Sequence, residues 1–161
     1  MHDDHEDEDG KLPTDAVTVR ELREGDLAAI VKIDRASTGH ARREYYESKL
    51  KAALAEVKLR TSLVAELDGH VTGFLLARVY YGEFGKAEPV AVIDSIGVDP
   101  AFRKRRVGQA LLLQLTNNLR GLRVERVETQ IDWTQIDLLS FLMRQGFRPA
   151  PRLCLERTLA P

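Results

Sequence analysis

The chain has 161 residues, of which 43% are hydrophobic and 30% charged, a composition typical of one water-soluble domain with a sizeable core. No apolar run approaches the roughly 20 residues that a membrane helix needs. The single cysteine excludes a disulfide framework and a cysteine-rich zinc site. The first residues are acidic, where an export or transit peptide would be basic, and we therefore expect a cytoplasmic protein without a membrane partner.

Charge divides the chain unevenly. Residues 1–9 hold six acidic side chains and no Lys or Arg, which leaves 24 basic and 19 acidic side chains for the remainder. Residues 2–10 contain no hydrophobic side chain, and such a segment cannot offset the entropy cost of ordering. We predict a disordered acidic tail over residues 1–12 and a single domain over residues 13–161. No metal site is predicted.

The first elements are a strand and two helices. Val17–Val19 reads as a short strand, and Asp26 then stands where it can cap a helix whose apolar residues have helical spacing. Gly39 ends that helix. A second, charged helix is predicted over residues 41–57, with Tyr45, Leu50, Leu54 and Val57 as its buried stripe.

Two strands and the turn between them come next. Asp68-Gly69 favours a tight hairpin turn between strands at residues 62–66 and 71–80. A fourth strand is predicted over residues 90–98, where Asp94 and Ser95 interrupt an apolar run.

The second half alternates helices and strands. An amphipathic helix is predicted over residues 106–122, a strand over 124–131, a helix over 134–145 that stops at Gly146, and a last strand near residues 153–159. The predicted element order is therefore β-α-α-β-β-β-α-β-α-β.

The most informative stretch lies between the fourth strand and the amphipathic helix. Residues 101–113 read Ala-Phe-Arg-Lys-Arg-Arg-Val-Gly-Gln-Ala-Leu-Leu-Leu, a basic turn that opens into the helix. The first N–H groups of a helix have no helical acceptor and its macrodipole is positive there, so the position suits a phosphate. Gly108 and Ala110 keep the approach to that backbone open.

Residues 96–113 resemble motif A of the GNAT superfamily of acyl-CoA-dependent N-acyltransferases. Its signature, Gln or Arg, two residues, Gly, one residue, then Gly or Ala, is matched by residues 105–110. Residues 137–147, which end in Gly-Phe, are similar to the motif B helix. The resemblance covers nearly the whole chain after the tail, since the predicted element order also matches.

The resemblance implies an α/β (α+β) GNAT fold, with a mixed, mostly antiparallel sheet and helices on both faces. It implies acetyl-CoA as co-substrate and a fourth strand that parts from the fifth at a bulge. Backbone groups at Ile96, Gly97 and Val98 would bind the pantetheine arm, and Gln135, or alternatively Asp137, would touch it. The residues implied at the phosphates are Arg103, Lys104, Arg105, Arg106, Val107, Gly108, Gln109 and Ala110.

The chain departs from the family at one catalytic position. Many members have a Tyr that protonates the departing thiolate, and this chain has Leu142 there. The thiolate then takes its proton from another acid or from solvent. The resemblance makes the Val98 N–H the oxyanion donor.

The candidates for accepting the proton of the amine are Asp94 and Ser95, beside the bulge. The alternative for Asp94 is a carboxylate neutralised by backbone groups or by a basic neighbour such as Arg78. Glu128 and Gln130 on the fifth strand are the next candidates.

The predicted activity is transfer of an acetyl group from acetyl-CoA to a primary amine in a ternary complex. The alternative is a non-catalytic acyl-CoA-binding or sensing module, which the absence of a Tyr at Leu142 favours. We expect no nucleic-acid partner, because the basic residues are confined to one turn without interleaved aromatic residues. A homodimer is left open. By resemblance, the acceptor groove draws on Ser37, Thr38, His40, Arg42, Arg43, Tyr45, Tyr46, Tyr80, Tyr81, Glu83 and Phe84.

Overall fold

The computed structural model describes residues 16–56 and 59–160, so the acidic tail predicted over residues 1–12 lies outside the described residues. The chain divides into two units, one that runs through Gln130 and one that begins at Ile131. None of the helices in the described part combines the length and apolar character that crossing a membrane requires.

Five strands form one sheet in chain order. β1 (Thr18–Glu21), β2 (Leu63–Leu67), β3 (His70–Tyr80) and β4 (Val90–Val98) are antiparallel neighbours, and β5 (Val127–Thr129) is parallel to β4. The predicted mixed, mostly antiparallel sheet is confirmed. Asp68 and Gly69 both have positive φ, 52° and 77°, as the hairpin turn between β2 and β3 requires.

Among the described residues, the first unit contains the α-helices α1 (Leu27–Thr38), α2 (Arg43–Ala55) and α3 (Val107–Gly121), and the second contains α4 (Ile136–Arg144). Gly39 ends α1 as predicted: it has φ 80°, and its N–H donates to the carbonyl of Arg35. Asp26 stands at the N-cap position of α1, as predicted. Its carboxylate makes no capping bond to that helix, because it accepts instead from the Arg20 guanidinium and the Arg23 N–H.

Helices cover both faces of the sheet in the first unit. On one face α1 and α2 bury apolar side chains against Val64, Phe74 and Leu76. On the other face α3 approaches β3 so closely that a Cβ at Gly73 would stand 2.6 Å from Cγ1 of Val107. Close packing of α3 on the sheet therefore depends on a glycine at this position.

The buried side of α2 differs from the predicted stripe. Tyr46, Leu50 and Ala53 are buried, whereas Tyr45 is 37% exposed. Tyr46 faces inward because its hydroxyl finds polar partners there, which is the usual condition for burying a tyrosine.

The predicted last strand, near residues 153–159, is wrong. The described residues form no strand after β5, and Leu153, Leu155 and Leu159 are between 85% and 88% exposed. Alternating leucines favour a strand, but a strand forms only where a neighbour completes its hydrogen bonds. The predicted strand over residues 124–131 also shortens to Val127–Thr129.

Candidate active site

The central feature of the site is the point where β4 loses its neighbour. On the β3 side, Ile93 lies opposite Ala77 and Ser95 opposite Leu76, so Asp94 is an extra residue in a β-bulge. On the β5 side, pairing stops at Ile93, where the Thr129 hydroxyl donates to the Ile93 carbonyl at 2.9 Å. The bulge that the family resemblance implied is present.

Beyond that point β4 has an open edge. Among the described strands, none pairs with residues 94–98 on the side that β5 occupies earlier. These five residues are all partly exposed, so their backbone groups on that side are accessible to an extended partner. The three residues implied for the pantetheine arm, Ile96, Gly97 and Val98, lie in this stretch.

A short basic loop follows. The Asp99 carboxylate accepts from the Ala101 N–H at 3.0 Å and caps a single helical turn over Pro100–Phe102. Lys104 and Arg106 then have positive φ, 67° and 59°. Non-glycine residues rarely adopt this conformation, and two of them in one loop give it a defined path.

The loop delivers cations to the start of α3. The side chains of Arg103, Lys104, Arg105 and Arg106 are all exposed, whereas Val107 and Gly108 are buried at the first turn. The Ala110 N–H donates to the Arg106 carbonyl at 3.0 Å. The N–H groups of the turn before it lie at a helix start, where the macrodipole is positive. Basic side chains and helix start therefore lie together, as the sequence predicts.

Asp94 makes an ion pair that the sequence did not indicate. Its Oδ2 lies 3.4 Å from Nζ of Lys49 on α2, and the two side chains are 15% and 30% exposed. The basic neighbour considered from the sequence, Arg78, instead pairs with Glu56 at 3.0 Å. Asp94 thus faces the α2 side of the sheet beside the open edge of β4.

Ser95 belongs to a buried polar network. Its Oγ lies 3.1 Å from the hydroxyl oxygen of Tyr46, which lies 3.3 Å from Oδ1 of Asp34. The Arg42 guanidinium donates to both carboxylate oxygens of Asp34, and the Arg42 backbone N–H donates to Oδ2. The network joins α1, α2 and β4 next to the bulge.

Burial and hydrogen bonding shift two pKa values in this network. Burial opposes the ionisation of Asp34, but the hydrogen bonds from Arg42 outweigh it and lower the pKa of Asp34 below its ordinary value. Burial raises the pKa of Tyr46, which the hydrogen bond to Ser95 only partly counteracts. At neutral pH the network therefore contains an ionised carboxylate and a neutral phenol.

Asp34 and Lys49 were not among the candidates named from the sequence, although the helical spacing of each indicates the side of the helix on which it lies. Asp34 follows Ile30 by four residues on α1, so it shares the apolar face that enters the core. Lys49 follows Tyr45 by four residues on α2, which puts both on one side of that helix. Pairing with Asp94 itself depends on how α2 lies on the sheet, which no local pattern specifies.

Other candidates have contacts or exposure of their own. Glu128 on β5 pairs with Arg126 at 3.3 Å. In the second unit, Gln135 precedes α4 and its Oε1 accepts from the Asp132 N–H at 3.0 Å, and Asp137 lies in the first turn of that helix. In the loop between β3 and β4, Tyr81 and Phe84 are 65% and 90% exposed.

These features define a class of protein. A strand that parts from its parallel neighbour at a bulge, followed by a basic loop and a helix start, offers a backbone edge and a phosphate cradle side by side. Residues 27–147 match the model of the acetyltransferase (GNAT) family. The chain belongs to this family, which confirms the resemblance and makes it an acyltransferase.

Solved structures share the fold at low sequence identity. AAC(6')-Iy, solved with the bisubstrate analog CoA-S-monomethyl-acetylneamine, is 17% identical with a TM-score of 0.71, covering 90% of this chain and 99% of that one. Ribosomal-protein-S18-alanine N-acetyltransferase from Escherichia coli is 19% identical with a TM-score of 0.68, covering 84% and 79%. A transcriptional regulator from Bacillus halodurans C-125 is 20% identical with a TM-score of 0.69, covering 89% and 100%. No curated protein sequence matches the chain.

Proposed function

We propose that this chain transfers an acetyl group from acetyl-CoA to a primary amine by direct transfer in a ternary complex. The observation that carries the proposal is the parting of β4 from β5 at Asp94, next to the basic loop that opens α3. Coenzyme A fits this arrangement because its amide-containing arm needs backbone partners and its phosphates need N–H groups and cations.

The proposed coenzyme A site has two parts, one for the pantetheine arm and one for the phosphates. Ile96, Gly97 and Val98 bond the pantetheine arm through their backbone. Residues 103–110 bind the phosphates, through N–H groups at the start of α3 and through the four basic side chains before it. Support comes from the open edge of β4 and from the exposed cations at a helix start.

The transfer step needs two proton movements. The amine nitrogen attacks the thioester carbonyl carbon, the C–N bond forms and the C–S bond breaks, and the oxyanion accepts a hydrogen bond from the Val98 N–H. Asp94, directly or through water, takes the proton that the amine loses. The leaving thiolate takes one proton from solvent or from another acid, since Leu142 has none to donate.

Direct transfer, without a covalent enzyme intermediate, is supported by the cysteine inventory. Cys154 is the one cysteine of the chain, and it lies exposed in the extended segment after α4. A free thiol of this kind also agrees with a reducing compartment, and the cytoplasm is the compartment we propose.

A homodimer is the assembly we propose. The segment that follows α4 carries exposed Leu153, Leu155 and Leu159 at odd-numbered positions, with Arg157 between the last two, and the described residues hold no partner strand for it. Odd-numbered residues share one face of a strand, and a second copy supplies an identical segment with the same need. Pairing of two such segments about a two-fold axis would complete the backbone hydrogen bonds of both and bring the leucines of the two copies together on one face.

Two measurements test the proposed function. Acetyl-CoA should raise the melting temperature in a concentration-dependent way, since a ligand that binds the folded state stabilises it. A panel of amines should then stimulate CoA release, followed as free thiol. Absence of stabilisation would refute the co-substrate assignment, whereas stabilisation without any stimulated release would favour a binding or sensing module.

A further inference from the structure

Three carboxylates on the α2 side of the sheet, one of them buried and two partly exposed, each pair with a cation. Asp34 pairs with Arg42 at 2.6 Å, Glu56 with Arg78 at 3.0 Å and Asp94 with Lys49 at 3.4 Å. An acceptor that brings positive charge alone adds a second cation to a carboxylate that already has one, and it gains little from doing so.

The Asp94–Lys49 pair is the one next to the open edge of β4. It is also the longest of the three, and both of its side chains remain partly exposed. Lys49 lies against the partly exposed ring of Tyr45, with Nζ 5.7 Å from the ring centroid, and Arg42 lies 5.4 Å from the same centroid. The ring therefore contacts the Lys49 ammonium group while that group pairs with Asp94.

From this juxtaposition we infer that the acceptor is zwitterionic: an amine with an anionic group close to it, of which a free α-amino acid is the simplest case. Its ammonium group binds Asp94 and its carboxylate binds Lys49. The inference rests on the proposed function, because it assigns the amine to the same site. Lys49 is then a specificity-determining residue.

The geometry of an α-amino acid suits the pair. Ordinary bond lengths hold its amino nitrogen about 3 Å from its carboxylate oxygens, close to the 3.4 Å that separates Lys49 and Asp94. Laid alongside the pair in the opposite sense, the ligand sets its ammonium group against Asp94 and its carboxylate against Lys49, and neither protein charge loses a partner. A polyamine or aminoglycoside offers Asp94 an ammonium group but nothing for Lys49.

The experiment compares acceptors that differ only in the carboxylate. Acetyl transfer by the full chain is measured with L-phenylalanine against phenethylamine and L-leucine against 3-methylbutylamine, with spermidine as a polycation. We expect kcat/KM to be at least 10-fold higher for one amino acid than for its matched amine, and spermidine to be a poor acceptor. Comparable or higher rates for the plain amines or for spermidine would overturn the inference.

Two lysine variants test whether Lys49 determines the acceptor specificity. Lys49→Met should remove the preference by lowering kcat/KM for the amino acid at least 10-fold and by raising that for the matched amine, because the amine no longer competes with a lysine for Asp94. Lys51→Met, an exposed lysine on the same helix, should leave both unchanged. An equal loss for both acceptors in Lys49→Met would assign Lys49 a structural role and overturn its part in specificity.

The two proposals fail differently. If acetyl-CoA neither stabilises the chain nor supports any transfer, the proposed function itself is refuted. If acetyl-CoA stabilises the chain and plain amines or polyamines are acetylated at least as fast as amino acids, the proposed function stands and the zwitterionic acceptor is excluded. The same conclusion follows if amines are acetylated and no amino acid is acetylated.

Discussion

The hydroxyl of Tyr46 lies 3.1 Å from Oγ of Ser95, and this contact joins α2 to β4 one residue after the bulge. Tyr46 is 1% exposed, and its hydroxyl also donates to Oδ1 of Asp34. Tyr46→Phe should destabilise the chain by about 2 kcal/mol, because it removes the hydrogen bonds to both Asp34 and Ser95. It should also lower turnover, because Ser95 loses the group that orients it.

The matched control is Tyr45→Phe on the same helix. The Tyr45 ring makes its contacts through its faces and edge rather than through its hydroxyl, so stability and turnover should stay at the level of the unmodified chain. Melting curves and the rate of CoA release measure both quantities. Unchanged turnover in Tyr46→Phe would show that the orientation of Ser95 does not affect the reaction.

Asp34→Asn should make the free energy of unfolding less dependent on pH in the acidic range. Because the folded-state pKa of Asp34 is lowered, its contribution is complete above its unfolded pKa of about 4 and is lost as pH falls through the folded value. The variant should lose about 2 kcal/mol of unfolding free energy at pH 7. That difference should shrink below pH 4, as urea denaturation at several pH values will show.

Glu47→Gln serves as the control for Asp34→Asn. Glu47 and its partner Arg43 are both more than half exposed, and exposed pairs of this kind contribute about 0.5 kcal/mol or less. A difference for Asp34→Asn that stays constant down to pH 2 would contradict the lowered pKa.

Asp94→Asn should lower turnover at neutral pH on the order of 100-fold or more, the range in which general bases contribute. The dissociation constant for acetyl-CoA should stay nearly unchanged, because Asp94 faces α2 rather than the basic loop. Calorimetric titration and steady-state rates separate the two quantities. Asp68→Asn, in the β2–β3 turn where asparagine is well tolerated, should leave both intact. Full turnover in Asp94→Asn would remove this carboxylate from the mechanism.

Gly108→Glu should weaken acetyl-CoA binding at least 100-fold. Gly108 is buried in the first turn of α3, and a glutamate there adds both volume and negative charge where the phosphates are proposed to bind. Gly121→Glu is the control at the other end of the same helix, where an added Cβ meets nothing within 4 Å. Comparable affinities for the two variants would refute the placement of the phosphates.

Replacing Leu153 and Leu155 together with serine should convert the proposed dimer into a monomer. Both side chains are more than 85% exposed in the single chain, so the exchange should not lower the stability of the isolated protomer. Sedimentation equilibrium measures the mass. Leu113→Ser, at an exposed leucine on α3, should leave it unchanged. A monomeric unmodified chain would exclude the dimer.

Local patterns identified most elements because each depends on neighbouring residues. Helical spacing and Gly39 defined α1, and the Asp68-Gly69 pair defined the hairpin between β2 and β3. The motif over residues 105–110 identified the family, which the match over residues 27–147 confirmed. Patterns failed where the outcome depends on a partner, as with the unformed strand near residues 153–159 and the carboxylate of Asp26.

The sequence by itself determined the order of elements through α4, the family and the basic turn at the start of α3, since periodicity, turn residues and a short motif are all encoded locally. Only the tertiary structure decided which side chains meet at the bulge. Lys49 reaches Asp94, and Tyr46 reaches Ser95, across 45 and 49 residues of chain. Both contacts follow from how α2 packs on the sheet, and that packing minimises the exposed apolar area of the whole unit rather than of any one segment.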